Sequence, residues 1–223
     1  MNTRLSMNTP KLRNIASACA LCFAITCGSA AHAEGFVRAG ALYVDYTASE
    51  SSESGASLAA GVNWGAAQKH ELSLEAMRAD WSWHKPGGLV PQLGTNGRGH
   101  LTPLLVNYRY HLWTHSSGLR IYAGGSVGQA KTSGEITVAL SGLQYRGMAD
   151  ETGLAKGATL GVTGKITGRF SYDLGYRYLH VEGFETPSIL FVGVGGYTGG
   201  PGPVIQVPAS EAHCAALSLR FSF

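Results

Sequence analysis

The chain has 223 residues, with 17 Lys and Arg against 14 Asp and Glu, and a mean hydropathy of +0.02. No stretch after residue 33 approaches the roughly 20 apolar residues that a membrane-spanning helix needs, so a helical membrane protein is excluded. Three of the basic residues, Arg4, Lys11 and Arg13, precede residue 34 and no acidic residue does, so the remainder is balanced at 14 against 14; nothing in that charge points to nucleic acid.

Residues 1–33 carry those three basic side chains, then an apolar run over 16–25, then Ala31-His32-Ala33. A basic region, an apolar stretch too short to span a membrane and a small-x-small end form an export signal, expected to be cut after Ala33. Residues 34–223 then form one domain. Cys19, Cys22 and Cys27 leave with the signal, so Cys214 remains without a partner for an intramolecular disulfide.

Beyond the signal, the period of two that marks a strand with one apolar and one polar face recurs eight times. Residues 37–46 set Val37, Ala39, Ala41 and Tyr43 against Arg38. Residues 57–64 set Leu58, Ala60, Val62 and Trp64 against Ala59, Gly61 and Asn63. Leu72, Leu74 and Ala76 oppose Glu71, Ser73 and Glu75. Over 104–113, Leu104, Val106, Tyr108, Tyr110 and Leu112 oppose Asn107, Arg109 and His111. Over 119–127, Leu119, Ile121, Ala123 and Val127 oppose Arg120, Tyr122 and Ser126. Over 158–166, Ala158, Leu160, Val162 and Ile166 oppose Thr159, Thr163 and Lys165. Phe170, Tyr172, Leu174, Tyr176 and Tyr178 oppose Ser171, Asp173, Gly175 and Arg177. At the end, Ala215, Leu217, Leu219, Phe221 and Phe223 oppose Ala216, Ser218, Arg220 and Ser222.

An even strand count suits a closed antiparallel ring with both chain ends on one side. Connections alternate between short (65–69, 114–118, 167–168) and long, polar or Gly-rich (47–54, 84–99, 131–153, 183–210). Charges keep to one face. In a soluble sandwich that face would be wet; in a barrel it points inward while the apolar face meets lipid, and closure satisfies every backbone hydrogen bond. The fold expected is all-β: an eight-stranded, antiparallel, up-and-down transmembrane β-barrel. Tyr43, Trp64, Trp81, Trp83, Tyr110, Trp113 and Tyr178 then suit aromatic girdles at the two interfaces.

Asn107-Tyr108-Arg109-Tyr110, the run Ile121-Tyr122 to Gly128, Gly175-Tyr176-Arg177-Tyr178 and the terminal Phe223 resemble the small eight-stranded outer-membrane barrels, namely the outer-membrane protein A barrel domain and the opacity-type adhesins. The resemblance covers nearly all of residues 36–223 and is one of pattern. It implies an outer membrane of Gram-negative type, with lipid and lipopolysaccharide as surroundings. It also implies that the barrel-assembly machinery reads Phe223 with Phe221 and Leu219. The chain stops at Phe223, so no peptidoglycan-binding domain is expected to follow.

Enzyme motifs are weak. Gly124 to Gly128 has the spacing of a nucleophile elbow but lies within a strand rather than at a strand–turn–helix junction; its small residues read as relief for bulky inward neighbours. His180-Val181-Glu182 lacks the Pro-Cys-x-x-Cys of a deaminase. The seven histidines after residue 33 show no metal-ligand spacing, and His84, His100 and His115 read as loop or turn residues. No cofactor and no metal are expected, and Cys214 reads as a small barrel-lining residue. The apolar, Gly-rich stretch 187–207 either docks a surface ligand or continues its strands above the membrane.

The expected role is therefore non-enzymatic: a structural or surface-interaction barrel, adhesin-like through its long loops. A narrow channel is the alternative, since eight strands leave an interior that side chains fill, and a lipid A-modifying enzyme is a third. Inside, Glu71, Glu75 and Asp173 are expected to pair with Arg38, Arg109, Arg120, Lys165, Arg177 and Arg220 in one network that plugs the lumen, because a charge stripped of water needs a partner. Removing Glu75 is expected to destabilise the barrel and to raise any ion conductance.

Overall fold

The computed structural model describes residues 33–47, 51–85, 94–140, 143–186, 188–192, 197–201, 204–207 and 209–223. The predicted export signal over residues 1–33 lies outside the described residues, apart from Ala33, as do parts of the predicted long loops.

Twelve strands follow in order: β1 (Glu34–Tyr46), β2 (Ser51–Trp64), β3 (His70–Lys85), β4 (Gly94–Thr114), β5 (Arg120–Leu140), β6 (Leu143–Thr167), β7 (Phe170–Val181), β8 (Phe184–Thr186), β9 (Ser188–Val192), β10 (Tyr197–Pro201), β11 (Ile205–Val207) and β12 (Ser210–Ser222). Eight of them close an antiparallel ring. Each of β1 to β6 pairs with the next, β7 pairs with β12, and β12 returns to β1 with Arg38 opposite Arg220. Closure leaves the ring without an edge, which is what a sheet in lipid requires.

The short connections are as the sequence predicts. A 3-10 turn at Ala66–Gln68 joins β2 to β3, and tight turns join β4 to β5 and β6 to β7. Gly65 and Gly118 take positive φ in two of these turns, which glycine adopts without a Cβ penalty. The start of β1 and the end of β12 meet at this end of the ring, where Phe36 lies opposite Ser222.

The predicted long connections at 84–99 and 131–153 are largely strand. β3 and β4 pair out to Lys85 and Thr95, and β5 and β6 out to Leu140 and Leu143. His84 and His100 therefore lie in strands, while His115 sits in a turn. The alternation that reveals a strand depends on one face meeting an apolar phase. Beyond the membrane neither face meets lipid, so the apolar pattern fades while the hydrogen-bond ladder continues. The result is asymmetric: β6 runs 25 residues where its neighbour β7 runs 12. At about 3.4 Å per residue and a tilt near 40°, 12 to 13 residues rise roughly 30 Å, enough for the hydrocarbon core. The excess of β3 to β6 stands beyond it as a free wall. β9 pairs with β6 at Gln144 to Gly147 and carries β10, extending this wall sideways. β8 and β11 form a separate ribbon, tied to β6 by Thr186 Oγ1 donating to the Met148 carbonyl at 2.8 Å.

Candidate functional site: the barrel lumen

The side chains that point inward follow strand parity, and they divide into two layers. Near the short turns, β1 supplies Arg38, β3 supplies Glu71 and Glu75, β4 supplies Asn107, Arg109 and His111, β7 supplies Asp173 and Arg177, and β12 supplies Arg220; all are buried. Continuing outward in the same phase, the inward residues become apolar: Leu42, Val44 and Tyr46 on β1, Met77 and Ala79 on β3, Leu101 and Leu105 on β4, Leu179 and Val181 on β7, with Cys214 on β12. The lumen is a charged layer beneath an apolar one.

Three ion pairs match one to one. Arg220 Nη1 lies 2.7 Å from Glu71 Oε2, Arg109 Nη1 lies 2.8 Å from Asp173 Oδ2, and Arg177 Nη2 lies 2.6 Å from Glu75 Oε2. Arg38 sits among them, 3.4 Å from Glu71, 3.6 Å from Asp173 and 3.5 Å from Glu75. Charged pairs of this kind are tight where geometry allows two groups to face each other, and here each carboxylate has one close guanidinium and shares the fourth.

Neutral groups complete the layer. Tyr122 OH donates to Asp173 Oδ1 at 2.9 Å and Thr163 Oγ1 to Oδ2 at 3.1 Å. Asn107 Nδ2 donates to Glu75 Oε2 at 3.1 Å. The Arg109 guanidinium lies 4.3 Å from the centre of the Tyr122 ring, and that of Arg220 lies 3.7 Å from the centre of Phe36, which closes the layer from below by cation–π contact.

Glycines make room for these bulky groups. Gly161 on β6 and Gly175 on β7 are register partners, and the Tyr122 hydroxyl occupies the floor they leave. A Cβ would come within 2.4 Å of it at Gly161 and 2.6 Å at Gly175. At Gly124 a Cβ would lie 3.1 Å from Arg109 Cγ but meets the β4 backbone first, as it does at Gly128, so these glycines chiefly admit the close approach of β4.

Two predicted members of the network do not join it. Lys165 is exposed at the rim, beside a register irregularity that ends the β6–β7 ladder, and its chain lies against Gly118 of the neighbouring turn. Arg120 also sits at the rim and reaches Gln68 Oε1 at 3.4 Å. Both share the strand phase of the lumen but lie past its dry part, where water satisfies a cation. Trp81 is a third correction. It is not a girdle residue but packs against the apolar layer from inside. The apolar layer itself was missed. Its signal was present, since Met77, Ala79 and Trp81 continue the phase of Glu75, and Leu42, Val44 and Tyr46 that of Arg38.

No family model matches the chain, and a search of curated proteins finds no significant match. Among solved structures, surface protein A of Neisseria aligns at 16% identity and a TM-score of 0.47, over 86% of this chain and 99% of its own. The attachment invasion locus protein Ail of Yersinia pestis, solved with the heparin analogue sucrose octasulfate, aligns at 8% identity and a TM-score of 0.48, over 86% and 99%. The outer membrane protein OprG of Pseudomonas aeruginosa aligns at 12% and 0.44, over 85% and 95%. The chain resembles the small eight-stranded outer-membrane barrels.

As in such a barrel, the outward face is apolar and aromatic at its margins. Toward the short turns, His70 stacks on Trp64 with centroids 5.5 Å apart, and its Nδ1 lies 2.8 Å from the Tyr108 hydroxyl. Trp113 lies beside His115. Toward the other end, Tyr43 is exposed, and Tyr176 and Tyr178 flank His213. The C-terminal barrel strand carries Leu219, Phe221 and Phe223 outward. The Phe223 amide donates to the Gly35 carbonyl at 2.9 Å, and the Phe221 ring packs on Phe170 at 5.2 Å. Cys214 is a free, buried thiol on the lumen wall. Among the described residues no group of three His, Cys, Asp or Glu is arranged to hold a metal.

Proposed function

We propose that this protein is an outer-membrane barrel of Gram-negative type that acts at the cell surface, adhesin-like, through the wall formed by β3 to β6 with β9 and β10. Its lumen serves as a structural core. The observation that supports this reading is the contrast between a lumen filled by two successive layers and a wall built far beyond what spanning requires. A pore would need the lumen, and an enzyme would need a cleft that reaches lipid or solvent; the wall serves neither. In this reading residues 1–33 are removed on export, the barrel-assembly machinery recognises Leu219, Phe221 and Phe223, and lipopolysaccharide surrounds the outer half. The surface ligand engages the wall and the segment 183–210.

Ala130 and Gly153 are register partners at the base of the wall, so residues 131–152 can be replaced by a two-residue turn without disturbing the ring. Bacteria displaying the parent protein are expected to adhere to epithelial monolayers, and bacteria displaying the trimmed barrel at equal density are expected not to. Equal adherence of the two, or ion conductance by the refolded parent in a planar bilayer, would overturn the proposal.

A further inference from the structure

We propose that the charged layer of the lumen binds a single small anion, a halide, in the cavity between Arg38, Arg109 and Arg177. The layer holds four guanidiniums and three carboxylates, all buried. Arg220, Arg109 and Arg177 each take one carboxylate at 2.6 to 2.8 Å. Arg38 is the fourth guanidinium, 2% exposed; it donates one long hydrogen bond to Glu71 at 3.4 Å and shares Glu75 and Asp173 at 3.5 and 3.6 Å, with no carboxylate of its own.

The hydrogen-bond inventory leans the same way. Arg38 Nη2, Arg109 Nε, Arg177 Nε and Arg220 Nη2 are buried without a hydrogen-bond partner, whereas no carboxylate oxygen of the described residues is. Arg177 Nη1 lies against the thioether of Met77, a weak acceptor. Neutral acceptors such as the His111 ring nitrogens are left unpartnered in the same layer, so what it lacks is negative charge, and a buried charge without compensation is costly.

Arg38, Arg109 and Arg177 line one cavity together with two carboxylates, Glu75 and Asp173, so its charged lining carries one positive charge in excess. It has room for about one water-sized particle. That size admits a halide and excludes phosphate, sulfate or a carboxylate ligand. A water would supply an acceptor but no charge; a halide supplies both, and its weak hydration lets it enter a largely dry site.

The test uses the refolded full barrel in detergent, melted at one ionic strength in sodium chloride, sodium bromide or sodium gluconate, with the unboiled, fast-migrating gel band as readout. A ligand bound only by the folded state raises its melting midpoint. The parent is expected to melt several degrees higher in either halide than in gluconate, saturating with halide concentration. Arg38→Gln leaves three guanidiniums for three carboxylates and is expected to melt at one temperature in all three salts. A parent indifferent to the anion, or an equal halide shift in parent and variant, would overturn the proposal. Should Arg38→Gln fail to refold, bromide-soaked crystals of the parent decide. An anomalous peak between the three guanidiniums is expected, and its absence would refute the site.

Discussion

Glu71 and Arg220 stand 149 positions apart in the chain and 2.7 Å apart across the lumen. The pair ties β3 to the closing strand β12, over the two strands that separate them in the ring. Arg109 and Arg38 approach the same carboxylate at 3.6 and 3.4 Å. Glu71 is therefore the acid on which most of the layer converges.

Glu71→Ala should strand the Arg220 guanidinium and take a shared carboxylate from Arg38 and Arg109. Breaking a buried pair from one side costs about 3–5 kcal/mol. Glu75→Ala, which chiefly releases Arg177, should cost less, about 1–4 kcal/mol. Urea titration of refolded barrels, scored by gel mobility before boiling, measures both. A Glu75 variant less stable than the Glu71 variant would contradict this ranking.

The sequence led to the expectation that Glu75→Ala also raises ion conductance. The apolar layer revises this. Met77, Leu105 and Leu179 close the lumen above Glu75 and do not depend on its charge. Planar-bilayer recordings of Glu75→Ala are expected to stay as silent as those of the parent. Steady single-channel steps in the variant alone would mean that the charged layer is the real seal.

Gly161→Val should be among the more damaging single substitutions of the ring. Its side chain would displace the Tyr122 hydroxyl and so remove a donor from Asp173. Overpacking of this kind costs roughly 1–3 kcal/mol, before the lost hydrogen bond is counted. Gly161→Val in a Tyr122→Ala background should cost less, because the ring is gone, but it keeps a residual cost from the Leu174 carbonyl, 2.5 Å from that Cβ. Thermal midpoints of the two single variants and the double variant give the coupling directly, and strict additivity would count against the slot.

Deleting Phe223, or replacing it by Asp, should lower the amount of assembled barrel in cells. The deletion also removes the hydrogen bond that the Phe223 amide donates to the Gly35 carbonyl at the seam where the ring closes. Immunoblots of membrane and periplasmic fractions check this; parental levels of heat-modifiable protein in the membrane would show that the terminal aromatic is dispensable.

The address itself is open to measurement. Protein beginning at Glu34 is expected in the outer-membrane fraction, migrating faster unboiled than boiled because a closed barrel resists detergent. Recovery in the soluble periplasm with a single mobility would refute membrane insertion.

Periodicity along the chain is enough to assign the face that each ring strand turns to lipid. A period of two is local: Leu217, Leu219 and Phe221 must lie opposite Ser218 and Arg220 wherever the strand goes, and eight such strands with charges on one face leave few folds. It also brought Arg38, Glu71, Glu75, Arg109, Asp173, Arg177 and Arg220 onto one side, since a charge facing lipid is costly. Only the tertiary structure decided height. Strand stagger and tilt set which inward residues share a level, so they place Arg220 beside Glu71, lift Leu42, Met77 and Leu179 into an apolar layer, and leave Arg120 and Lys165 in the wet rim. Height also decided where strands end. Past the membrane no apolar phase marks one face, and only pairing between neighbours such as Leu140 and Leu143 shows that the ladder continues.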